Sequence, residues 1–288
     1  MIHRHIVHNG RVLSLEQVRL SPGQAGLMSG WGIFTTLRIF HGVAFAYERH
    51  WIRMQKDASR IRLPFPFEAD CVREQLSELM SANRVAEGTA RIYVIYNKFG
   101  LWQSDEAAPE ADLLLCTADL PPHHEPSRLD LQEHGRHAAS PLAGVKATSW
   151  LNNVWNLAET QARGYNEVVL LNERGEVSEC TAANIFCVRE GKVLTPPLNS
   201  GCLEGVTRSV LLDIGPKYGA PVVEITLRPD DLFAAEEVFI TSTNRSLLGI
   251  SEVAGHTFSA APGPVTQRLE RAFRNYMEEY AAQRAPAK

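Results

Sequence analysis

Short strand-like segments joined across glycine turns restrict the fold of this chain more than any other feature. Asn9-Gly10 sits between the apolar-rich arms of HIVHNGRVLSL, and His41-Gly42 lies between IFTTLRIF and VAFAY. Arg174-Gly175 interrupts EVVLLNERGEVSE, and NIFCVREGKVLT repeats the pattern at Glu190-Gly191. A tight turn between two strand-forming arms predicts an antiparallel hairpin. Helical periodicity marks the segments around these hairpins, with Val72, Leu76, Leu79 and Met80 on one face of DCVREQLSELMSAN and Val206, Val210, Leu211 and Ile214 on one face of VTRSVLLDIGPKYG. ERHWIRMQKDASRI and QRLERAFRNYMEEYAAQ also read as helices. ARIYVIYN, ADLLLCTA, PVVEITL and EEVFITS read as strands, and SPGQAGLMSGWG as a glycine-rich loop. Hairpins mixed with helices predict an α+β fold.

The proline-rich polar stretch DLPPHHEPSRLD has the composition of an extended connector. The expected organisation is therefore an N-terminal α+β domain over 1–119, a linker over 120–128 and a second domain over 129–288. At 288 residues and 44% hydrophobic content, the chain can fill cores of that size without staples. Its formal charge of −4, with no basic block, argues against nucleic acid or an anionic membrane as the main partner. The odd number of cysteines, with no CxxC pair, suggests neither a disulfide framework nor a zinc site, and so no metal. No window has signal-peptide character or approaches the roughly 20 apolar residues that cross a bilayer. A cytosolic protein acting on small molecules is the expectation.

Lys146, in PLAGVKATSWLNNV, sits between a small-residue loop and an apolar run. Burial disfavours the charged ammonium and leaves a nucleophilic amine, the kind that forms Schiff bases with carbonyl compounds or pyridoxal phosphate. The plain alternative is a lysine that reaches solvent past its neighbours. Glu179, in VSECTAANIF, could pair with a protonated pyridine nitrogen or be an ordinary strand-end carboxylate. In LEGVTRSVLL, Val206 and Thr207 open a helix where free N–H groups and a hydroxyl could receive phosphate, or where Thr207 simply caps. Arg53 lies three residues after His50 on one helix face and offers a bidentate phosphate partner, whereas Arg49, Lys56 and Arg60 fit a solvated basic face. Ser242 and Thr243 follow the strand EEVFITS, as anion donors or as a polar loop.

Taken together, these segments resemble the fold-type IV (class IV) family of pyridoxal phosphate enzymes, which includes branched-chain and D-amino acid aminotransferases and aminodeoxychorismate lyase. The resemblance runs in order from HNGRVLSL through ERHWIRMQ, AGVKATSWLNNV, VSECTAANIF and LEGVTRSVLL to EEVFITSTNRSLLGI. It implies a small N-terminal α+β domain, a larger C-terminal pseudo-barrel domain carrying the lysine, and a homodimer. It further implies that Lys146 forms the Schiff base and shuttles the substrate proton, and that Glu179 holds the ring nitrogen. Arg53, Val206, Thr207, Ser242 and Thr243 would anchor the phosphate, with Leu203 against the ring.

Thr36, in FTTLR, stands where the lyases of this family carry a threonine and branched-chain enzymes a glycine; it would act in proton transfer in a lyase. Arg91 and Arg38 are candidates for a substrate carboxylate, or for solvent-facing strand positions. Trp31 and Phe34 are expected to line the pocket, the alternative being plain core aromatics. Trp150 falls near a tyrosine of branched-chain enzymes, but an indole N–H donates without titrating as a phenol does. The resemblance implies a transaminase moving an amino group from an amino acid, branched-chain donors among the candidates, to a 2-oxo acid in a ping-pong cycle. The alternative it carries is a lyase releasing pyruvate and 4-aminobenzoate from 4-amino-4-deoxychorismate.

Overall fold

The computed structural model describes residues 1–98, 109–121 and 127–284. In chain order its elements are β1 (Ile2–His8), β2 (Arg11–Ser14), α1 (Ala25–Ser29), β3 (Gly32–Phe40), β4 (Val43–Ala44), α2 (Tyr47–Arg60), α3 (Ala69–Ala82), β5 (Gly88–Tyr96) and β6 (Ala111–Ala118). There follow β7 (Ser127–Gln132), α4 (Leu151–Ala162), β8 (Glu167–Leu171), β9 (Val177–Cys180), β10 (Asn184–Arg189), β11 (Lys192–Thr195) and α5 (Val206–Ile214). The chain closes with β12 (Val222–Glu224), α6 (Pro229–Phe233), β13 (Glu237–Ser242), β14 (Ser246–Val253), β15 (His256–Thr257) and α7 (Pro264–Arg284).

Contacts divide the chain into two units, one of residues 1–121, 145–150 and 277–288, the other of 122–144 and 151–276. The first unit holds a six-stranded sheet in the order β2-β1-β6-β5-β3-β4, antiparallel at every pairing. Strand alternation assigns its two faces. Ile33, Leu37 and Ile39 of β3 join Ile92 and Val94 of β5 in a core shared with Tyr47, Trp51 and Met54 of α2 and Leu76 and Leu79 of α3. The opposite side chains, Phe34, Thr36 and Arg38 of β3 and Arg91 and Tyr93 of β5, share the other face, with Phe34 opposite Tyr93 and Thr36 opposite Arg91.

The second unit carries a nine-stranded mixed sheet ordered β12-β11-β10-β13-β14-β7-β8-β9, with β15 beside β14. The pairs β11/β12, β14/β7 and β7/β8 are parallel and the others antiparallel. Leu129, Val169, Ile185, Val238 and Ile250, one from each of five neighbouring strands, form its core. The α+β class expected from the hairpins is the one observed.

Several local expectations change. Within the expected loop SPGQAGLMSGWG, residues 25–29 form α1, which ends at Gly30 in a left-handed conformation (φ 67°). The last two residues assigned to the linker, Ser127 and Arg128, begin β7; residues 122–126 lie outside the described residues. The expectation of one continuous second domain from 129 onward also differs from the contacts, which group 145–150 with the first unit. The cause is hydrogen bonding: Phe34 N–H donates to Lys146 O at 3.0 Å and Thr148 N–H to Gly32 O at 2.9 Å, so residues 146–148 extend the β3 edge.

Candidate active site

In the first unit, Lys146 is fixed by its main chain before its side chain does anything. Its carbonyl accepts from Phe34, and its N–H donates to Asp57 Oδ2 at 3.3 Å. The Nζ then lies 4.6 Å from the centroid of the Phe34 ring and 5.8 Å from that of Trp150. Phe34 stacks on Tyr93 at 5.5 Å and meets Trp150 edge-on at 5.9 Å. An aromatic corner of this kind attracts a cation through ring quadrupoles while keeping water from one side of it. That is the physical reason a lysine can stand in this apolar run.

Thr36 and Arg91 are cross-strand partners on the same sheet face as Phe34. Arg91 is exposed and donates from Nη1 to the Tyr93 hydroxyl at 3.0 Å. Arg38, two residues beyond Thr36 on that face, has an ion pair of its own with Glu87 at 3.3 Å. Trp31 is held at the edge of the unit, its indole N–H donating to Ile61 O at 3.1 Å and its ring meeting Tyr96 at 5.1 Å.

Arg53 projects from α2 on the core side of β3, 6% exposed, and donates from Nη2 to Thr35 Oγ1 at 2.7 Å. The same hydroxyl lies 2.7 Å from His50 Nδ1. Asp57, one turn further along α2, is also buried. Burial pushes its carboxyl pKa upward, opposed by the neighbouring charge of Arg53 and by the bond from the Lys146 N–H.

In the second unit, Glu179 lies on β9 and is 7% exposed. Arg136 pairs with its Oε1 at 3.0 Å, and the Leu203 N–H donates to its Oε2 at 3.1 Å. Arg136 also donates to Asn153 Oδ1 at 2.8 Å, and Asn153 to Thr181 O at 2.5 Å. A buried carboxylate is tolerated here because Arg136 pairs with it and the Leu203 N–H donates to it. Leu203 opens the turn into α5, where Gly205 is the N-cap and Val206 and Thr207 begin the first turn. Those first-turn N–H groups have no carbonyl within the helix to receive them.

Asn184 holds this turn. Its Nδ2 donates to Leu203 O at 2.9 Å, and its Oδ1 occupies the space that a Cβ on residue 205 would need. A side chain there would force the asparagine or the turn to shift. Asn184 pairs across the sheet with Thr241, whose buried hydroxyl has no hydrogen-bond partner among the described residues. Ser242 is used locally, its Oγ accepting from the Arg245 N–H at 3.2 Å, and Thr243 sits in the turn between β13 and β14.

The structure thus brings Lys146, Phe34, Trp150, Thr36 and Arg91 to one face of the first unit, with Arg53 on α2. It brings Glu179, Leu203, Val206 and Thr207 to one turn of the second. Sequence reasoning missed Thr35, Asp57, Arg136 and Asn184. Each is a common residue type whose partner lies many positions away, so no local pattern marks it. Among the described residues, no group of metal-ligating side chains occurs and no helix is long and apolar enough to cross a membrane.

Each unit carries groups of the kind that pyridoxal phosphate takes: the first an amine in an aromatic corner, the second a carboxylate paired with Arg136 and a helix N-terminus bearing a hydroxyl. Residues 32–253 match the family described as amino-transferase class IV, and the chain belongs to it. Over 277 residues, 94% of this chain and 96% of its relative, it is 26% identical to the D-alanine aminotransferase of Bacillus licheniformis. It is also similar to a branched-chain aminotransferase of Thermoproteus uzoniensis, solved with norvaline, at 27% identity and a TM-score of 0.88, covering 97% of this chain and 98% of that one. A Legionella pneumophila protein named provisionally as a 4-amino-4-deoxychorismate lyase shares the fold at a TM-score of 0.83 and 21% identity, over 91% of this chain and 96% of that one. Family and relatives make this chain an enzyme of the transaminase class.

Proposed function

We propose that the protein transfers the amino group of an apolar amino acid to a 2-oxo acid, using pyridoxal phosphate held at Lys146. The observation that carries this reading is the Lys146 amine against Phe34 and Trp150, on the sheet face that also presents Thr36 and Arg91. When bound, the cofactor supplies an electron sink for negative charge at the substrate α-carbon. Lys146 would hold the group through its amine, and the same amine, once freed, would be the base that takes the proton from the substrate α-carbon onto its own nitrogen. Glu179, paired with Arg136, would face the ring nitrogen. By the family resemblance, Arg53 in the first unit, and the Val206 and Thr207 N–H groups, the Thr207 hydroxyl, Ser242 and Thr243 in the second, would be the phosphate's donors, with Leu203 against the ring.

Arg91 is an exposed guanidinium beside Thr36 on the face and offers the substrate carboxylate a two-pronged partner. Arg38 would have to exchange Glu87 for substrate, which makes it the weaker carboxylate site. Phe34, Tyr93 and Trp150 favour an apolar substrate side chain, in keeping with the D-alanine and branched-chain substrates named for the relatives; Trp31 would line the edge of that pocket. In a second reading, lysis of aminodeoxychorismate, Thr36 on the same face as Phe34 would act in proton transfer.

A homodimer is part of the proposal. Leu151, Val154 and Trp155 lie at helical spacing on α4 with exposures of 77%, 51% and 63%. Such an apolar stripe is characteristic of a surface covered in the assembled protein.

The test is an assay with L- and D-amino acid donors and pyruvate or 2-oxoglutarate as acceptor, run beside release of pyruvate from aminodeoxychorismate. Amino transfer from an apolar donor that is lost in Lys146→Ala is the expected result. Pyruvate from aminodeoxychorismate with no transfer from any amino acid would establish the lyase instead.

A further inference from the structure

We propose that Thr35 and His50 are positioning residues for Arg53: a one-way hydrogen-bond relay through the Thr35 hydroxyl fixes the guanidinium in the pose that receives phosphate. The inference rests on the reading above that Arg53 holds the cofactor's phosphate.

Thr35 Oγ1 meets both Arg53 Nη2 and His50 Nδ1 at 2.7 Å. A guanidinium can only donate, so the hydroxyl accepts from Arg53 and keeps its own hydrogen to give. The relay assigns that hydrogen to His50 Nδ1, which then carries a lone pair, with the ring neutral and its proton on Nε2.

The surroundings favour that state independently. Burial, then the charges of Arg53 and Lys146, hold the His50 pKa well below the usual histidine range. All three side chains are nearly inaccessible, with Thr35 at 0%, His50 at 2% and Arg53 at 6% exposure. Thr35 comes from the core side of β3, whereas His50 and Arg53 come from α2 at i and i+3. The relay therefore ties the arginine to the sheet as well as to its own helix. A threonine and histidine meant only to satisfy each other would have no use for a cation on the same oxygen; here the shared oxygen selects one rotamer of a long, flexible side chain.

The experiment compares binding of pyridoxal phosphate and of pyridoxal, which lacks the phosphate, to cofactor-stripped protein by quenching of protein fluorescence. The ratio of the two affinities reads the phosphate contact, and pyridoxal affinity alone controls for folding. Thr35→Val should lower the ratio about tenfold, the size expected for loss of one hydrogen bond to a charged group, while leaving pyridoxal affinity in place. His50→Leu should act in the same direction. Thr35→Ser and His50→Asn, which keep the hydroxyl and the acceptor, should retain the ratio.

If Arg53→Leu lowers the ratio and Thr35→Val does not, the relay is overturned and the phosphate role of Arg53 stands. If Arg53→Leu leaves the ratio unchanged, the phosphate reading fails and takes the relay with it. Should Thr35→Val not fold, His50→Leu decides alone, and an unchanged ratio there overturns the proposal.

Discussion

A buried histidine forbidden to ionise makes stability depend on acid. His50 is neutral in the folded protein, because burial and the Arg53 and Lys146 charges depress its pKa, whereas in the unfolded chain it protonates near about 6.5. Below that pH the unfolded state binds a proton that the native state refuses, so stability falls as pH falls, by at most about 1.4 kcal/mol per pH unit from this group. Above it the contribution is constant. Urea unfolding at pH 7 and at pH 5.5 should show a larger acid loss for the natural chain than for His50→Asn; equal losses would mean that His50 titrates normally. Arg136 makes a second case at this scale. Removing it as Arg136→Leu leaves the Glu179 carboxylate buried with the Leu203 N–H as its remaining donor among the described residues. The expected cost is about 2 kcal/mol or more in urea unfolding, and Glu179→Gln in the same background should recover part of it.

At the scale of elements, the turn into α5 is the most tightly specified piece of the candidate site. Gly205→Ala places a methyl group on Asn184 Oδ1, and the turn or the asparagine must move. Overpacking of this kind costs about 1–3 kcal/mol, and the variant should also lose pyridoxal phosphate on dialysis. Trimming the neighbour in the double variant Gly205→Ala, Asn184→Ala should cost less stability than the sum of the two single changes, as thermal unfolding would show. This turn also illustrates what a sequence discloses. The glycine and threonine of LEGVTR were legible as a helix start that can face phosphate, because the signal is local. That the same turn is fastened to Glu179 and Asn184 was not, because both bonds join residues about twenty positions apart. The hairpins at Asn9-Gly10 and Glu190-Gly191 were legible for the same reason, and both form. β7 was not: its alternation of Leu129 and Leu131 with Arg128 and Asp130 is short and follows a proline-rich stretch.

For the whole molecule, the order of elements was readable but the partition of the chain was not. Nothing in GVKATSW says that it belongs with strands more than a hundred residues earlier, since backbone hydrogen bonds to Gly32 and Phe34 decide the matter. The aromatic corner around Lys146 was likewise hidden, because Phe34, Tyr93 and Trp150 come from three separate stretches of chain. The exposed stripe of Leu151, Val154 and Trp155 gives the assembly its own test. Sedimentation velocity should find a dimer, and Trp155→Glu, placing a charge on the stripe, should shift it toward monomer; a natural chain that sediments as a monomer at micromolar concentration would contradict the proposed assembly.

The central claim is that Lys146 holds a cofactor that takes up an amino group, and a single half-reaction tests it most directly. Purified protein loaded with pyridoxal phosphate is mixed with one amino acid at a time, without acceptor, while the visible absorption and the 2-oxo acid formed are followed. The account predicts that an apolar amino acid of one hand discharges the cofactor's visible band and yields one 2-oxo acid per protomer. A band that no amino acid discharges, or no band in the natural chain at all, would contradict it.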